Sequence, residues 1–302
     1  MTPRANSSEL PGLAQVSAIF PRIAILGGGL LGGSLALALA ALENPPQVRL
    51  WARRAATLAE AKHRGIANAT TRLDEAVADV HLVILAVPVG SMPELIAAAL
   101  AAGLPNTCLV TDVGSVKQAP HQTLTPLLAA AAIPFIGSHP MAGSERVGIA
   151  AADASLFDGA ACLLTNDEQA PATRATALEK FWQAIGCQTT WLSAAAHDAL
   201  VARISHLPHL LAACGAHICL EDPSVGRFGG GGLRDTTRVA SGNPEMWAEI
   251  LIENRHAIVG PLRESLADLA EILASLEAAD QEQARNWLLS AKLRRDSLPQ
   301  PI

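Results

Sequence analysis

The feature that most constrains the fold is a run of glycines inside a long uncharged segment near the start of the chain. Residues 23–42 carry no charged side chain, and this length would suit a transmembrane helix. Gly27, Gly28 and Gly29 follow one another within the segment and would weaken a helix there. The glycines therefore favour a strand, a tight turn and a separate helix over a membrane span.

The glycine turn fits the pattern G-x-G-x-x-G between Gly27 and Gly32. It follows an apolar strand pattern and opens a helical one, which is the context that dinucleotide-binding turns require. Gly27 would allow the tight turn, Gly29 would let a pyrophosphate approach the backbone, and Gly32 would let the helix pack on the strand. The residues predicted to contact the cofactor here are Gly27, Gly29, Leu30, Leu31 and Gly32, with Val87 and Pro88 at the end of a later buried strand.

Strand and helix patterns alternate over the first two thirds of the chain. Apolar runs predict strands over residues 22–26, 47–51, 82–87, 108–112, 133–136, 161–165 and 188–192. This alternation predicts an α/β, Rossmann-type doubly wound and mainly parallel sheet, followed by an all-α domain in which only glycines 229–232 interrupt the helical pattern. We expect a mobile arm over residues 1–20, a dinucleotide-binding domain over residues 21–192 and a helical domain over residues 193–302.

Composition excludes several classes of protein. A net charge of −6 gives no electrostatic case for nucleic-acid binding, and an apolar content of 50% argues against disorder. The five cysteines are an odd number without a Cys-x-x-Cys pair, and residues 1–20 lack the pattern of a signal peptide. We therefore expect a cytoplasmic protein. The absence of tyrosine excludes any Tyr-dependent catalysis.

The end of the second predicted strand bears on the choice of cofactor. NAD sites usually carry an acidic residue there, which binds the 2′-hydroxyl of the ribose. Here the strand runs into Ala52, Arg53 and Arg54 without an acid. Two arginines could hold a 2′-phosphate, although both could equally be solvated residues at a helix start. The sequence favours NADP and leaves NAD open.

Polar strings follow several of the predicted strands and continue into the helical region. They are Asp-Val-Gly-Ser-Val-Lys at 112–117, Gly-Ser-His-Pro-Met-Ala-Gly-Ser-Glu at 137–145, Ser-His-Leu-Pro-His at 205–209, Gly-Gly-Gly-Gly-Leu-Arg-Asp-Thr-Thr-Arg at 229–238 and Asn-Pro-Glu-Met-Trp at 243–247. Together with Gly32-Gly33-Ser34, and in this order, they resemble the prephenate/arogenate (cyclohexadienyl) dehydrogenase family over residues 21–275. The resemblance implies an oxidative decarboxylation in tyrosine biosynthesis, and a homodimer formed through the helical domain.

The resemblance also implies roles for two residues in the reaction. His139 matches the family's catalytic histidine, and a neutral imidazole can accept the hydroxyl proton as hydride leaves. We place it in a turn. Ser115 matches a serine that hydrogen-bonds the same hydroxyl, and it could also be the N-cap of a helix that starts at Val116.

Five further residues are candidates for substrate binding. Arg238 matches an arginine that binds the substrate carboxylate, which suits its planar fork. Arg234 and Glu145 fall where the family places an ion pair that gates the site. His206 would line the pocket or orient Glu145, and Trp247 would be a core or interface aromatic residue or a pocket wall.

Other interpretations remain open at this stage. A metal site at His206 and His209 lacks further ligands, so none is expected. A β-hydroxyacid-type dehydrogenase or reductase would share the architecture, but its catalytic lysine has only Lys292 as a counterpart in the helical region. A non-catalytic dinucleotide sensor is an alternative of another class. Asp112 and Lys117 are predicted to be a strand-end cap and a solvated cation.

Overall fold

The computed structural model describes residues 16–143 and 146–298. The strands are β1 Arg22–Leu26, β2 Gln47–Trp51, β3 Ala69–Thr70, β4 Leu82–Leu85, β5 Leu109–Asp112, β6 Gly137–Pro140, β7 Ala161–Thr165 and β8 Gln188–Leu192. The helices before β8 are α1 Val16–Ile19, α2 Leu30–Ala40, α3 Ala55–His63, α4 Leu73–Val77, α5 Met92–Ala101, α6 Gln118–Ala130 and α7 Ala172–Ala184. After β8 follow α8 Ala194–Val201, α9 Leu207–Cys219, α10 Gly231–Thr237, α11 Pro244–Glu253, α12 Arg255–Glu277 and α13 Gln281–Asp296.

Five parallel strands form the central sheet in the order β3-β2-β1-β4-β5. Both faces of this sheet are covered. Along β1, Ile23 and Ile25 pack in one core cluster with α2 and α7, whereas Ala24 and Leu26 pack in another with α5 and α6. A strand buried on both faces needs apolar residues at every position, which explains the unbroken apolar runs in the sequence. The predicted doubly wound α/β fold is confirmed.

A second sheet of three strands extends the first. β6 pairs antiparallel with β7, and β7 pairs parallel with β8. The predicted strand over residues 133–136 is wrong in its position, because only an isolated bridge joins Phe135 to Val110 and the strand proper begins at Gly137. Thr111 and Ser138 join the two sheets through their hydroxyls, 2.7 Å apart. This junction places β6 beside the end of β5.

The first described residues are packed against the α/β domain. Val16 and Phe20 are buried, and the ring of Phe20 meets that of Phe181 edge-on at 6.3 Å between centroids. The arm predicted over residues 1–20 therefore includes a packed segment from Val16, because this stretch covers apolar surface of the core. Residues 1–15 lie outside the described residues.

The helical region begins at Ala194 with a single bent helix. α8 and α9 are joined without a break by a π-helical segment, Ala202–His206, and Pro208 stands in the first turn of α9. Proline cannot donate a backbone hydrogen bond, and single π turns often occur where a helix carries functional residues. By length and composition, Ala194–Cys219 is the one helix in the described ranges that could cross a membrane. Core helices pass the same test, and this one buries Asp198 and His206. The suspected span at residues 23–42 is β1, a turn and α2.

Candidate active site

A cavity of about 590 Å³ lies at the carboxyl ends of β1, β4 and β5. From β1 the chain turns to β2 and β3 on one side, whereas β4 and β5 lie on the other side. Open α/β sheets bind ligands at the point where the strand order reverses in this way. The opposite wall comes from the π-helical segment, the turn Arg238–Ser241 and α11. The cavity thus lies between the sheet and the helical region.

The structure brings most of the predicted site residues to this cavity. Those that line it are Gly29, Leu30, Leu31, Val87, Pro88, Ser115, His139, His206, Arg238 and Trp247. Gly27, Gly32, Arg53, Arg54 and Arg234 do not line it. Glu145 lies outside the described residues, so the predicted gating pair of Arg234 and Glu145 stays a prediction.

The glycine turn has the backbone geometry that its sequence predicts. Gly27 has a φ of +133°, and a Cβ there would lie 2.2 Å from the carbonyl oxygen of Ala86. A Cβ on Gly32 would lie 1.9 Å from the carbonyl oxygen of Gly27. At Gly29, by contrast, no atom of the described residues would lie within 4 Å, and this residue faces the cavity at the N-terminus of α2. The turn therefore fits a pyrophosphate, which the open backbone and the helix N-terminus would hold.

Arg53 and Arg54 lie where β2 gives way to α3. Both are exposed, and Arg54 is the N-terminal flanking residue of α3. In dinucleotide-binding folds of this type, the end of the second strand is where the adenosine ribose is recognised. The residues of the glycine turn thus fit a nicotinamide dinucleotide.

His139 lies in β6, not in a turn as predicted. The strand places its ring on the cavity wall, and the side chain is largely buried. Burial holds the pKa of His139 well below its ordinary value, and the positive charge of Lys117 acts in the same direction. The imidazole is therefore neutral near neutral pH, as a general base must be.

Two further buried side chains stand behind His139. Its Nδ1 lies 2.9 Å from Nε2 of His197, and Nδ1 of His197 lies 2.8 Å from Oδ1 of Asp198. Both residues are on α8. The carboxylate of Asp198 also accepts hydrogen bonds from the backbone N–H groups of Lys117, at 2.7 Å, and of Gln118, at 3.0 Å. We call this hydrogen-bonded series of side chains, formed by His139, His197 and Asp198, the histidine chain.

Asp198, not Ser115, caps the N-terminus of α6. The helix starts at Gln118, and the predicted start at Val116 with Ser115 as its N-cap is wrong. The reason is that a carboxylate distant in sequence already satisfies the first N–H groups of this helix. Burial alone would raise the pKa of Asp198, but the hydrogen bonds from His197 and the two backbone groups outweigh it and lower that pKa.

Ser115 lies on the cavity wall, in the loop between β5 and α6. A buried ion pair shapes this loop. Nζ of Lys117 lies 2.5 Å from Oδ2 of Asp112 and also donates to the carbonyl oxygens of Gly114 and Val116. Asp112 in turn accepts from the N–H of Gly114 at 2.8 Å. The prediction of Lys117 as a solvated cation is wrong, because its side chain is completely buried against Asp112.

His206 faces the cavity from the π-helical segment. It is buried, and its Nδ1 lies 3.0 Å from Nδ2 of Asn254, which also donates to the backbone oxygen of Asp198. The amide fixes Nδ1 of His206 as an acceptor, so Nε2 carries the proton. Nε2 is buried and has no hydrogen-bond partner among the described residues, and burial lowers the pKa of His206 to about 4. His206 thus offers the cavity a neutral N–H donor.

Trp247 forms an aromatic wall of the cavity. Its ring stacks on His209 with 3.5 Å between centroids and meets His206 edge-on at 6.1 Å. Trp247 also packs against the core cluster that contains Ile250, so the geometry agrees both with a pocket wall and with a core aromatic residue. His209 serves Trp247 by stacking, and no group of three or more His, Cys, Asp or Glu suited to a metal occurs within the described ranges.

Arg238 begins the turn after α10 and lines the cavity opposite the sheet. Arg234 lies one helical turn earlier and is exposed. Glu249 of α11, which sequence analysis missed, accepts a hydrogen bond from the N–H of Gly90 in the loop after β4. This contact joins the helical region to the loop beside the glycine turn. Nothing in the sequence of an ordinary amphipathic helix distinguishes Glu249.

Sequence analysis also missed His197 and Asp198. They are the two polar residues in an otherwise apolar stretch, Ala-Ala-Ala-His-Asp-Ala-Leu-Val over residues 194–201, and both are buried. Adjacent ionisable residues on an apolar helix are a usable signal, because burying them requires partners. The partners themselves, on β6 and α6, could not be read from the sequence.

Comparison with known proteins agrees with this geometry. The chain matches the prephenate dehydrogenase nucleotide-binding domain over residues 35–190 and the prephenate dehydrogenase dimerization domain over residues 193–290. It is 34% identical over 268 residues to a cyclohexadienyl dehydrogenase of Zymomonas mobilis, which covers 87% of this chain and 90% of that protein.

Two solved structures are similar over nearly their whole length. Prephenate dehydrogenase from Aquifex aeolicus, in complex with hydroxyphenyl propionate and NAD⁺, superposes with a TM-score of 0.83 at 25% identity, over 92% of this chain and 98% of that one. Synechocystis arogenate dehydrogenase gives a TM-score of 0.75 at 27% identity, over 91% and 99%. The resemblance inferred from the sequence motifs is confirmed. The chain belongs to the prephenate dehydrogenase family.

Proposed function

We propose that this chain catalyses the oxidative decarboxylation of prephenate, arogenate or both, with hydride transfer to NAD(P), as a step of tyrosine biosynthesis. One observation carries the proposal: the buried, neutral His139 lies on the wall of a cavity that also reaches the glycine turn. Membership of the prephenate dehydrogenase family supports the proposal and disfavours the β-hydroxyacid-type alternative.

The residues of the cavity suit this reaction. When bound, the dinucleotide supplies the hydride acceptor. His139 accepts the proton of the substrate hydroxyl through Nε2 as hydride leaves the carbon that bears this hydroxyl, and a carbonyl forms. The bond to the ring carboxylate then breaks, carbon dioxide leaves, and its electron pair completes the aromatic ring. His139 returns the proton to the resulting phenolate, so the proton count balances.

The other polar residues of the cavity position the substrate. Ser115 hydrogen-bonds the reacting hydroxyl, and Arg238 holds a carboxylate. Too tight a grip on the carboxylate that leaves would oppose its departure, so we assign Arg238 to positioning. Trp247 packs against the ring, and the neutral N–H of His206 binds an acceptor oxygen of the substrate.

Steady-state assays test this function directly. Prephenate and arogenate are each offered with NAD and with NADP, which gives four combinations. The proposal expects aromatic product and reduced cofactor in at least one of them. A non-catalytic dinucleotide sensor would bind cofactor and give no turnover in any of the four, and that result would reject the proposal.

We also propose that NADP is preferred over NAD. The support is the pair Arg53 and Arg54 at the end of β2, where no acidic residue stands. Replacing both by alanine is expected to raise the KM for NADP about tenfold or more, since charge-assisted bonds to a phosphate are lost, and to leave the KM for NAD within about twofold. Equal effects on the two cofactors would contradict this preference.

We propose that the chain is a homodimer joined by its helical region. The described part of α12 and α13 exposes large apolar residues to solvent: Leu266, Leu269, Leu273, Leu276, Leu288, Leu289 and Leu293. Exposed apolar faces of this extent mark interaction surfaces. Light scattering is expected to give about twice the chain mass of 31.4 kDa. A particle of a single chain at micromolar concentration would contradict the dimer.

We propose a cytoplasmic location, in keeping with five cysteines that are all free. Fractionation of cells that express the tagged chain is expected to recover it with other cytoplasmic proteins. Recovery with the membrane fraction or outside the cytoplasm would contradict this location.

A further inference from the structure

The histidine chain suggests how His139 is kept ready to accept a proton. We propose that His197 and Asp198 are positioning residues that hold His139 in the tautomer whose Nε2 is unprotonated. This inference rests on the proposed function, because it assigns a purpose to the base that the reaction needs.

Asp198 only accepts hydrogen bonds in the histidine chain. Its two carboxylate oxygens receive hydrogen bonds from the backbone N–H groups of Lys117 and Gln118 and from the side chain of Gln118. An ionised carboxylate suits these donors, and it lies at the N-terminus of α6, where the helix dipole favours a negative charge.

The hydrogen bonds of the histidine chain run in only one direction, from His139 through His197 to Asp198. Because Asp198 accepts, Nδ1 of His197 donates to it, and Nε2 of a neutral His197 is left as an acceptor. Nδ1 of His139 must then donate to His197, which leaves the lone pair of His139 on Nε2. In the opposite arrangement a doubly protonated His197 would donate to His139, but burial and the nearby Lys117 ammonium oppose that cation.

The three side chains of the histidine chain are held in place by the surrounding strands and helices. His139 is held by β6, His197 and Asp198 by α8, and the carboxylate by the start of α6. Asn254 also donates to the backbone oxygen of Asp198 at 2.9 Å, from the junction of α11 and α12. Strand β6, helices α6 and α8 and the junction of α11 and α12 therefore fix one orientation of the imidazole. After proton transfer, the Asp198 carboxylate would also stabilise the imidazolium through His197.

Two variants of His197 test the proposal. His197→Gln keeps an acceptor oxygen that Nδ1 of His139 can reach, whereas His197→Leu removes it. Serine proteases lose about 10⁴-fold in kcat when the corresponding tautomer is disturbed. We expect His197→Leu to lower kcat about 100-fold or more, and His197→Gln to stay within about tenfold of the wild type. Equal kcat in the two folded variants, whether retained or lost, would overturn the proposal.

A control variant addresses the cost of losing any buried histidine. His121 is also buried, and it bonds Glu168 and Thr165 away from the cavity. His121→Leu removes a histidine of similar burial and is expected to keep kcat within about twofold of the wild type in the folded protein. A loss as large as that of His197→Leu would show that packing alone explains both variants and would overturn the proposal.

A measurement without turnover separates this inference from the proposed function. The ¹⁵N chemical shifts of the histidine rings distinguish protonated from unprotonated nitrogens, and His139→Asn identifies the signals of His139. We expect Nε2 of His139 to be unprotonated in the wild type at pH 7, and its signal to shift toward a protonated nitrogen in His197→Leu. A protonated Nε2 in the wild type would overturn the inference, even in an enzyme that turned over.

Discussion

The glycine turn and the buried polar cluster behind His139 shape their parts of the cavity in different ways. The polar cluster consists of Asp112, Lys117, His197 and Asp198. The turn works by leaving space: Gly29 has no atom within 4 Å of a would-be Cβ, and Gly27 and Gly32 pack against backbone. The polar cluster works by filling space with charges and hydrogen-bonding rings, which join β5, β6, α6 and α8. The glycine turn is thus one short segment that is closed at Gly27 by the backbone of Ala86, whereas the hydrogen bonds of the polar cluster join residues up to 81 positions apart.

That difference decided what could be predicted from the sequence. The demand on Gly32 comes from the turn itself, and Gly27 adds a contact with the backbone of Ala86, where the neighbouring predicted strand ends, so motif and context were enough. His139 was predicted from a motif, but its placement in a strand was not, because β6 is defined by its pairing with β7. The sequence predicts a solvated Lys117, because its burial depends on Asp112 and on the packing of the second sheet.

The largest expected effect comes from breaking the charges of the polar cluster. Lys117→Met would leave Asp112 buried without its cation, and removing one partner of a buried pair costs about 3–5 kcal/mol. Urea unfolding should show this loss. The double variant Asp112→Asn, Lys117→Met removes both charges and should recover much of the stability. A single variant as stable as the wild type would show that the pair does not act as a unit.

A smaller effect is expected from filling the space at the turn. In Gly32→Ala the new methyl group would meet the carbonyl oxygen of Gly27, and overpacking of this kind costs about 1–3 kcal/mol. Gly29→Ala is the matched control, because its methyl group meets no protein atom. It should keep the thermal stability of the wild type and weaken cofactor binding alone. Equal destabilisation by the two variants would contradict the distinction between packing and access.

Near neutral pH, the smallest effect concerns the dependence of stability on pH. The pKa of His206 is lowered to about 4 in the folded protein, so the unfolded chain binds more protons between that pH and about 6.5. The contribution of neutral His206 to the free energy of unfolding is therefore complete above pH 6.5. On acidification the free energy of unfolding falls by about 1.4 kcal/mol per pH unit for each such histidine. His206→Asn should reduce the slope of unfolding free energy against pH by about one proton. An unchanged slope would contradict the buried neutral state of His206.

The most direct test separates the two regions within one variant, His139→Asn. Loss of the proposed base should lower kcat about 10³-fold, which is within the range for general base catalysis. The glycine turn is untouched, so the dissociation constant of the dinucleotide, measured by fluorescence titration, should stay within about twofold of the wild type. Normal turnover would contradict the role proposed for His139. A parallel loss of cofactor binding would contradict the separation between a cofactor site built from backbone and a catalytic site built from side chains.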